Sequence, residues 1–235
     1  MTQARLGALA ALLVAVAVII FASLRPVGSL PPRSQRPPLL LLTSLPLVFG
    51  EDFSLKGGGS PALTALETRY RVVPIGVAEP SELAKGRLLL MAHAAAQTPE
   101  NLVALDNWVR GGGRVLLLAD PMLEWPSERP LGDPLRPSPM FPDTGLLQHW
   151  GLRLDAPDQP GPQVRKLEGV DVLTDSPGIL VGKCNIDGFV ADCRIGKGRA
   201  TIIADADFLD VKRLGQPAKH NLDALLKELA KLEEG

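Results

Sequence analysis

The chain has 235 residues and a formal net charge of −1, from 25 Lys and Arg against 26 Asp and Glu. This near balance gives no overall basic field, so we expect no nucleic-acid partner. The length is enough for one sizeable α/β domain with its own core after an N-terminal segment, and two such domains are not expected.

An uncharged apolar run opens the chain, LGALAALLVAVAVIIFASL from Leu6 to Leu24, between Arg5 and Arg25. As a helix it would be roughly 28 Å long, close to the ~30 Å hydrocarbon core of a bilayer. A cleaved signal peptide would have a shorter apolar region and a small-residue cleavage site, and a core helix would have a polar face. We therefore expect an uncleaved transmembrane anchor at 6–24, after a short tail at 1–5.

The sequence gives less direct evidence about which side of the membrane the soluble domain occupies. Arg25, Arg33 and Arg36 follow the run before the first acid, Glu51, and a simple count of positive charge would keep the body in the cytoplasm. Long segments cross largely regardless of charge. We therefore expect a single-pass protein of the inner (plasma) membrane with a periplasmic or other extracytoplasmic domain.

A proline-rich stretch, RPVGSLPPRSQRPP at 25–38, is predicted to be an extended spacer, and the soluble domain is assigned to 39–235. Strands and helices then alternate along the first half of this domain. The predicted elements are a strand at Leu39–Thr43, a helix from Ser60 and Pro61 to about Arg69, a strand at Tyr70–Ile75, a strand at Arg87–Met91, a helix from Thr98 to Arg110 and a strand at Arg114–Ala119. This alternation predicts a doubly wound parallel sheet with helices on both faces.

The second half of the domain has a different pattern. Residues 124–142 contain too many prolines for regular structure and are predicted to form a long surface loop. After it, glycines separate short segments, which predicts a late β-hairpin region. The expected elements are a short helix at Thr144–Trp150, strands near Arg153 and at Val164–Leu167, Ile179–Cys184, Phe189–Arg194 and Arg199–Ala204, and a final amphipathic helix at Ala218–Glu233.

Two cysteines, Cys184 and Cys193, are nine positions apart in KCNIDGFVADC. They fall on two strands of a predicted hairpin with Asp187 and Gly188 at its turn, so they can face each other. A disulfide in an oxidising compartment and a pair of free core thiols both fit this placement. A metal site does not, because there is no CxxC spacing and no neighbouring histidine.

Polar residues follow three of the predicted strands. His93 follows the strand that ends at Met91, Asp120 follows Ala119, and Asp205 and Asp207 follow Ala204. The carboxyl ends of parallel strands form the ligand crevice of such sheets, so the four residues are candidate ligand-binding groups. The structural alternative is that they cap helices and shape turns, as Asp120 before Pro121 would do.

Nucleophilic catalysis has little support, because the chain has no GxSxG motif and no cysteine at a strand-to-helix turn. We assign no catalytic residue, no cofactor and no metal. Trp125 in the proline-rich loop either anchors the loop or contacts a partner.

Several sequence segments follow one another in a recognisable order. They are LLLLTSLPLVFGE, SPALTALETRYRVVPI, RLLLMAHAAAQTPENLVALDNWVRGGGRVLLLADP and GKGRATIIADADFLD followed by HNLDALLKEL. Together they resemble a membrane-anchored auxiliary family of ABC transport systems. This gliding-motility-type family is uncharacterised, and its soluble domain is similar to class I glutamine amidotransferases. The resemblance covers most of 39–229.

The resemblance implies a flavodoxin-like sheet tethered beside an ABC transporter, with separate permease and ATPase subunits as partners. It implies no catalysis here, because both cysteines lie away from the turn that carries the amidotransferase nucleophile. Two functions follow as hypotheses. One is a non-enzymatic accessory or binding component, and the alternative is a metal-assisted, hydrolase-like enzyme that uses His93, Asp120, Asp205 and Asp207.

Overall fold

Leucine-rich strands form the centre of a seven-stranded sheet in the computed structural model, which describes residues 32–50 and 59–234. The strands are β1 Pro38–Thr43, β2 Arg71–Pro74, β3 Leu88–Ala92, β4 Arg114–Leu118, β5 Leu152–Asp155, β6 Pro162–Leu167, β7 Val170–Asp175, β8 Ile179–Gly182, β9 Asn185–Asp187, β10 Val190–Ile195 and β11 Gly198–Ile203. The helices are α1 Pro61–Arg69, α2 Pro80–Leu83, α3 Pro99–Arg110, α4 Leu146–His149, α5 Val211–Leu214 and α6 Asn221–Glu234.

The strand order of the main sheet is β2-β1-β3-β4-β11-β10-β9. The first five strands are parallel, and β10 and β9 are antiparallel to their neighbours. With β11 as the fifth parallel strand, this is the 2-1-3-4-5 order of flavodoxin-like sheets. The predicted fold class is therefore confirmed at the level of a parallel-dominated, flavodoxin-like α/β sheet.

Both faces of the central strands are buried. Successive side chains of a strand point to opposite faces, and every residue of β3 and all but the first of β4 is buried. Helix α1 packs with α6, and α2 packs with α3. The buried face of α6 includes Leu225, Leu229 and Leu232, as the sequence pattern predicts.

The helix starts follow local capping rules. The Ser60 hydroxyl accepts a hydrogen bond from the Leu63 N–H at 3.1 Å, and the Thr98 hydroxyl accepts one from the Asn101 N–H at 3.3 Å. At the start of β11, a Cβ added to Gly198 would lie 2.2 Å from the main-chain oxygens of Gly113 and Val109. Glycine thus lets β11 approach β4 and the end of α3 closely.

Three expectations need correction. The strand at Ile179–Gly182 does not pair with β10 but with β5, in a separate two-stranded sheet, and β10 pairs with Asn185–Asp187 instead. Gly182 has φ 158, the Lys183 N–H donates to the carbonyl of Gly151, and this bend separates β8 from β9. The expected spacer contains a 3-10 turn at Arg33–Gln35, and its last residue, Pro38, already belongs to β1.

Short elements were not predicted. Strand β7 pairs with β6 in a second two-stranded sheet, and α2 and α5 are single turns. The predicted span at Leu6–Leu24 lies outside the described residues. Among the residues that the structure describes, no helix is both long and apolar enough to cross a bilayer.

Candidate functional site

The four candidate residues follow β3, β4 and β11, which are neighbours in the parallel part of the sheet. His93, Asp120, Asp205 and Asp207 therefore lie at the same carboxyl edge. All four have 0% of their surface exposed. A buried carboxylate is costly unless it is hydrogen-bonded, so the partners of these groups decide what they do.

Asp120 joins the turn after β4 to the turn after β11. Its Oδ1 accepts from the Met122 N–H at 2.9 Å, and its Oδ2 accepts from the N–H groups of Ala206 at 2.8 Å and Asp207 at 3.4 Å. The first contact is the turn-shaping bond expected of an aspartate before a proline. The other two connect separate segments, so Asp120 has a structural role.

Asp205 and Asp207 also accept main-chain hydrogen bonds. The two oxygens of Asp205 accept from the N–H groups of Phe208 at 2.8 Å and Asp175 at 3.0 Å. Asp207 Oδ2 accepts from the Glu124 N–H at 2.7 Å, which fixes the base of the proline-rich loop. The two carboxylates thereby hold β7, the turn after β11 and the proline-rich loop together.

One guanidinium faces this cluster. Arg213, on α5, donates from Nη1 to Asp175 at 2.6 Å and from Nη2 to Asp207 at 2.9 Å. Its Nε lies 3.5 Å from Asp210. Sequence reasoning missed both Asp175 and Arg213. The alternation VDVLTD before a Ser-Pro-Gly turn was the available signal for a strand ending at Asp175.

The electrostatics of the cluster follow from burial and from like charge. Burial, with the neighbouring carboxylates, raises the pKa of Asp120 to about 6 and that of Asp207 to about 7. The same causes raise the pKa of Asp205 well above its usual range. Main-chain N–H donors act in the opposite direction on all three. The cluster therefore binds protons more readily than exposed carboxyl groups do.

His93 has a different hydrogen-bond partner from the aspartates. Its Nε2 lies 2.9 Å from the Ser138 carbonyl oxygen, which can only accept, so Nε2 carries the proton and Nδ1 has no hydrogen-bond partner. Burial lowers the pKa of His93 to about 4, so the ring is neutral. The residue has φ 46, and the Phe141 ring packs edge-on at 6.2 Å.

The proline-rich loop closes over this edge. Its ends meet where the Leu123 N–H donates to the Pro139 carbonyl at 2.9 Å, and the Phe141 N–H donates to the Asp120 carbonyl at 2.6 Å. Trp125 is half-buried and packs against the core, as a loop anchor would. The loop exposes three large apolar side chains, Leu131 at 86%, Leu135 at 57% and Met140 at 60%, and the acidic residues Glu124 and Glu128.

An apolar cavity of about 240 Å³ lies beside this loop. It is lined by the turn after β1, including Val48 and Phe49, and by Leu135 from the loop. The Phe49 ring is 58% exposed. The loop and the cavity rim together form an apolar surface at the carboxyl edge.

The carboxylates of the site form hydrogen bonds within the protein that connect different segments of the chain. Across residues 32–50 and 59–234, no group of three or more His, Cys, Asp or Glu side chains is arranged to hold a metal ion. The partners of the carboxylates are main-chain N–H groups and the Arg213 guanidinium, so the cluster joins separate chain segments.

The two cysteines lie directly opposite each other at the β9–β10 end of the sheet. The Cα atoms of Cys184 and Cys193 are 4.8 Å apart and the sulfurs are bonded at 1.97 Å. Cys193 is 2% exposed. The bond fixes the short edge strand β9 to β10.

Comparison with known proteins supports the fold alone. No family model matches the chain, and no curated protein matches it. An exo-β-1,4-mannosidase, Op5Man5 from Opitutaceae bacterium strain TAV5, is similar in structure with a TM-score of 0.52 and 13% identity, over 84% of this chain and 36% of that one. This chain thus spans about a third of the mannosidase.

Cytoplasmic protein STM3548 from Salmonella typhimurium is similar over nearly its whole length. The TM-score is 0.52 at 9% identity, over 83% of this chain and 98% of that one. A putative ThuA-like protein from Bacteroides uniformis ATCC 8492 matches with a TM-score of 0.41 at 9% identity, over 85% and 93% of the two chains. The likenesses to the mannosidase and to STM3548 agree with the mixed α/β fold and its parallel-dominated central sheet.

Proposed function

We propose that this chain is a non-enzymatic, membrane-tethered accessory component of an ABC transport system, with its α/β domain outside the cytoplasm. The observation that carries the non-enzymatic part is the use of the strand-end carboxylates. Both oxygens of Asp120, Asp205 and Asp207 accept hydrogen bonds from the protein itself. A carboxylate occupied in this way positions chain segments rather than a substrate.

Two further features support the tether and its location. The uncharged run at Leu6–Leu24 has the length of a membrane span. The Cys184–Cys193 disulfide fits an oxidising compartment, where such bonds persist. The link to ABC transport rests on the sequence resemblance to the auxiliary family, whose domain is similar to glutamine amidotransferases.

The apolar surface at the carboxyl edge is the working surface in this proposal. Leu131 and Met140 project from a loop whose base is fixed by Asp120 and Asp207, so the surface is presented in a defined position. Exposed apolar patches of this kind are typical of protein–protein contacts. The partners proposed are the permease, which this surface would contact, and the ATPase, which would associate through the permease from the cytoplasmic side.

The test is affinity purification of the full-length protein in mild detergent from its native membrane, with mass spectrometry of the recovered proteins. We expect near-stoichiometric recovery of a permease and an ATPase. The paired variant L131E/M140E should reduce this recovery at least tenfold. The matched control V103E changes a similarly exposed residue (61%) on α3 and should leave recovery unchanged. Recovery of the protein alone would overturn the proposal.

A further inference from the structure

Arginines mark the amino edge of the sheet, opposite the acidic cluster. Arg71 begins β2, Arg114 begins β4, Arg199 is the second residue of β11, and Arg87 immediately precedes β3. Strand β10 runs in the opposite direction, so Arg194 near its end lies at the same edge. These five residues are called the arginine row below.

The register places three members of the row directly beside one another. Arg114 is the partner of Arg199, and Arg199 is the partner of Arg194. Neighbouring strands are ~4.8 Å apart, and side chains directly opposite each other lie on the same face. Like charges in such positions repel, and an anion lying against them would relieve this repulsion.

The protein supplies little negative charge to the row. In the part of the chain that the structure describes, none of Arg71, Arg87, Arg194 and Arg199 forms an ion pair, and Arg114 donates only to the main-chain carbonyl of Glu233. Arg87 and Arg194 are exposed and the other three are half-buried. The row is therefore cationic, and it is open to solvent at Arg87 and Arg194.

Nearby cations extend the same edge. Arg69 and Arg110 end α1 and α3, where the helix dipoles favour positive charge. Each already has a carboxylate partner, Glu233 for Arg69 and Asp106 for Arg110. Helix ends thus account for these two arginines and for Arg114, which donates to a carbonyl in the last turn of α6, but not for Arg71, Arg87, Arg194 and Arg199.

We propose that the arginine row binds the anionic headgroups of phospholipids at the surface of the membrane that anchors the chain. The inference rests on the tether in the proposed function. Strand β1 begins at this edge, and the chain from Leu24 to Pro38 spans at most about 50 Å when fully extended. The edge is therefore within reach of the headgroups.

The chemistry of the row fits phosphate. A guanidinium presents several N–H donors in a fixed planar arrangement that matches two phosphate oxygens at once. Basic residues near an anionic membrane surface contribute roughly additively, and salt screens the attraction. Arg114, Arg199 and Arg194 lie side by side on three neighbouring strands, and Arg87 and Arg71 add positive charge from the other face at the same edge.

The test uses the full chain in vesicles of phosphatidylcholine alone or with phosphatidylglycerol, and phenylglyoxal modification of each arginine followed by mass spectrometry. We expect the modification rates of Arg87, Arg194 and Arg199 to fall about fivefold or more with phosphatidylglycerol, and to recover at high ionic strength. Arg165, exposed on β6, is the control within the molecule and should react equally in both vesicles.

Variants complete the test. In R194Q/R199Q the remaining Arg87 should lose most of its protection, whereas in the matched variant K212Q/K219Q Arg87 should retain it. Equal rates in the two vesicles would overturn the inference, and so would equal protection by a soluble nucleic-acid oligomer at the same phosphate concentration. Extraction of the protein by alkaline carbonate would contradict the transmembrane anchor of the proposed function. If the salt-sensitive protection of the arginines persists in that case, the lipid-binding inference is still supported.

Discussion

At the carboxyl edge of the sheet the charged side chains are buried carboxylates, whereas at the amino edge they are arginines that reach solvent. Asp120, Asp205 and Asp207 are fully buried and bonded to main-chain N–H groups. Arg87 and Arg194 are exposed and have no ion-pair partner among the described residues. Both edges of the sheet carry charged residues. The aspartates at the carboxyl edge hold the fold together, whereas the exposed arginines at the amino edge remain available to a partner.

Burial explains the difference. A buried charge must be satisfied internally, so removing its partner or the charge itself disturbs the fold. An exposed charge is solvated by water, and its removal has little effect on stability. Four experiments test this contrast, each by urea denaturation of the full chain in detergent with tryptophan fluorescence as the readout.

The largest effect is expected at the carboxyl edge from Asp205→Ala. This change leaves the buried N–H groups of Phe208 and Asp175 without acceptors, at a cost of about 3 kcal/mol in the free energy of unfolding. Asp205→Asn keeps one acceptor and should lose less. The control Asp158→Ala removes an exposed carboxylate, and an equal loss there would contradict the structural role of Asp205.

A smaller effect is expected from reduction of the Cys184–Cys193 disulfide. The bond closes a short loop next to Arg194, and its loss should lower the free energy of unfolding by about 2.5 kcal/mol. Urea unfolding curves of the protein reduced with dithiothreitol and of the oxidised protein measure this difference in the free energy of unfolding. Superimposable curves would show that the β9–β10 register does not depend on the bond.

The acidic cluster should make stability depend on pH. The folded pKa values of Asp120, about 6, and Asp207, about 7, lie above that of an unfolded carboxyl, so the folded protein binds more protons between about pH 4 and 7. Stability should therefore fall as the pH rises from 5 to 8, on the order of 2 kcal/mol. Asp207→Asn should flatten this slope. Glu228, whose pKa burial raises to about 7, contributes separately, and Glu228→Gln isolates its share.

The smallest effect is expected at the amino edge. Arg87→Gln and Arg194→Gln should each change the free energy of unfolding by less than about 0.5 kcal/mol, because neither side chain has a charged partner among the described residues. A loss comparable to that of Asp205→Ala would mean that the arginine row is structural. In that case the contrast between the two edges would not hold.

Local patterns predicted much of the fold. The leucine run at 39–43, the capped helices after Ser60 and Thr98, the proline-rich loop and the leucine face of α6 all appear within a few residues of the expected positions. Each depends on contacts between residues close in sequence, such as a cap three residues from its donor. The collection of His93 and the three aspartates at one edge followed from the parallel alternation.

Pairings between distant segments were not predictable in the same way. Strand β8 joins β5 rather than β10, and Arg213 reaches Asp175 and Asp207 from a one-turn helix with no distinctive pattern. A short apolar run fits several partner strands equally well, so its choice depends on the whole assembly. The contact between the His93 ring and the Ser138 carbonyl likewise joins segments that are distant along the chain.

The sequence by itself determined a doubly wound α/β domain after an apolar run of membrane-spanning length, because period, capping and proline content act over a few neighbouring residues. Only the tertiary structure decided that the strand-end aspartates are internal and that Arg71, Arg114 and Arg199, far apart along the chain, lie at one edge. Burial and strand register set both outcomes, and each depends on side chains and strands that the folded sheet brings together.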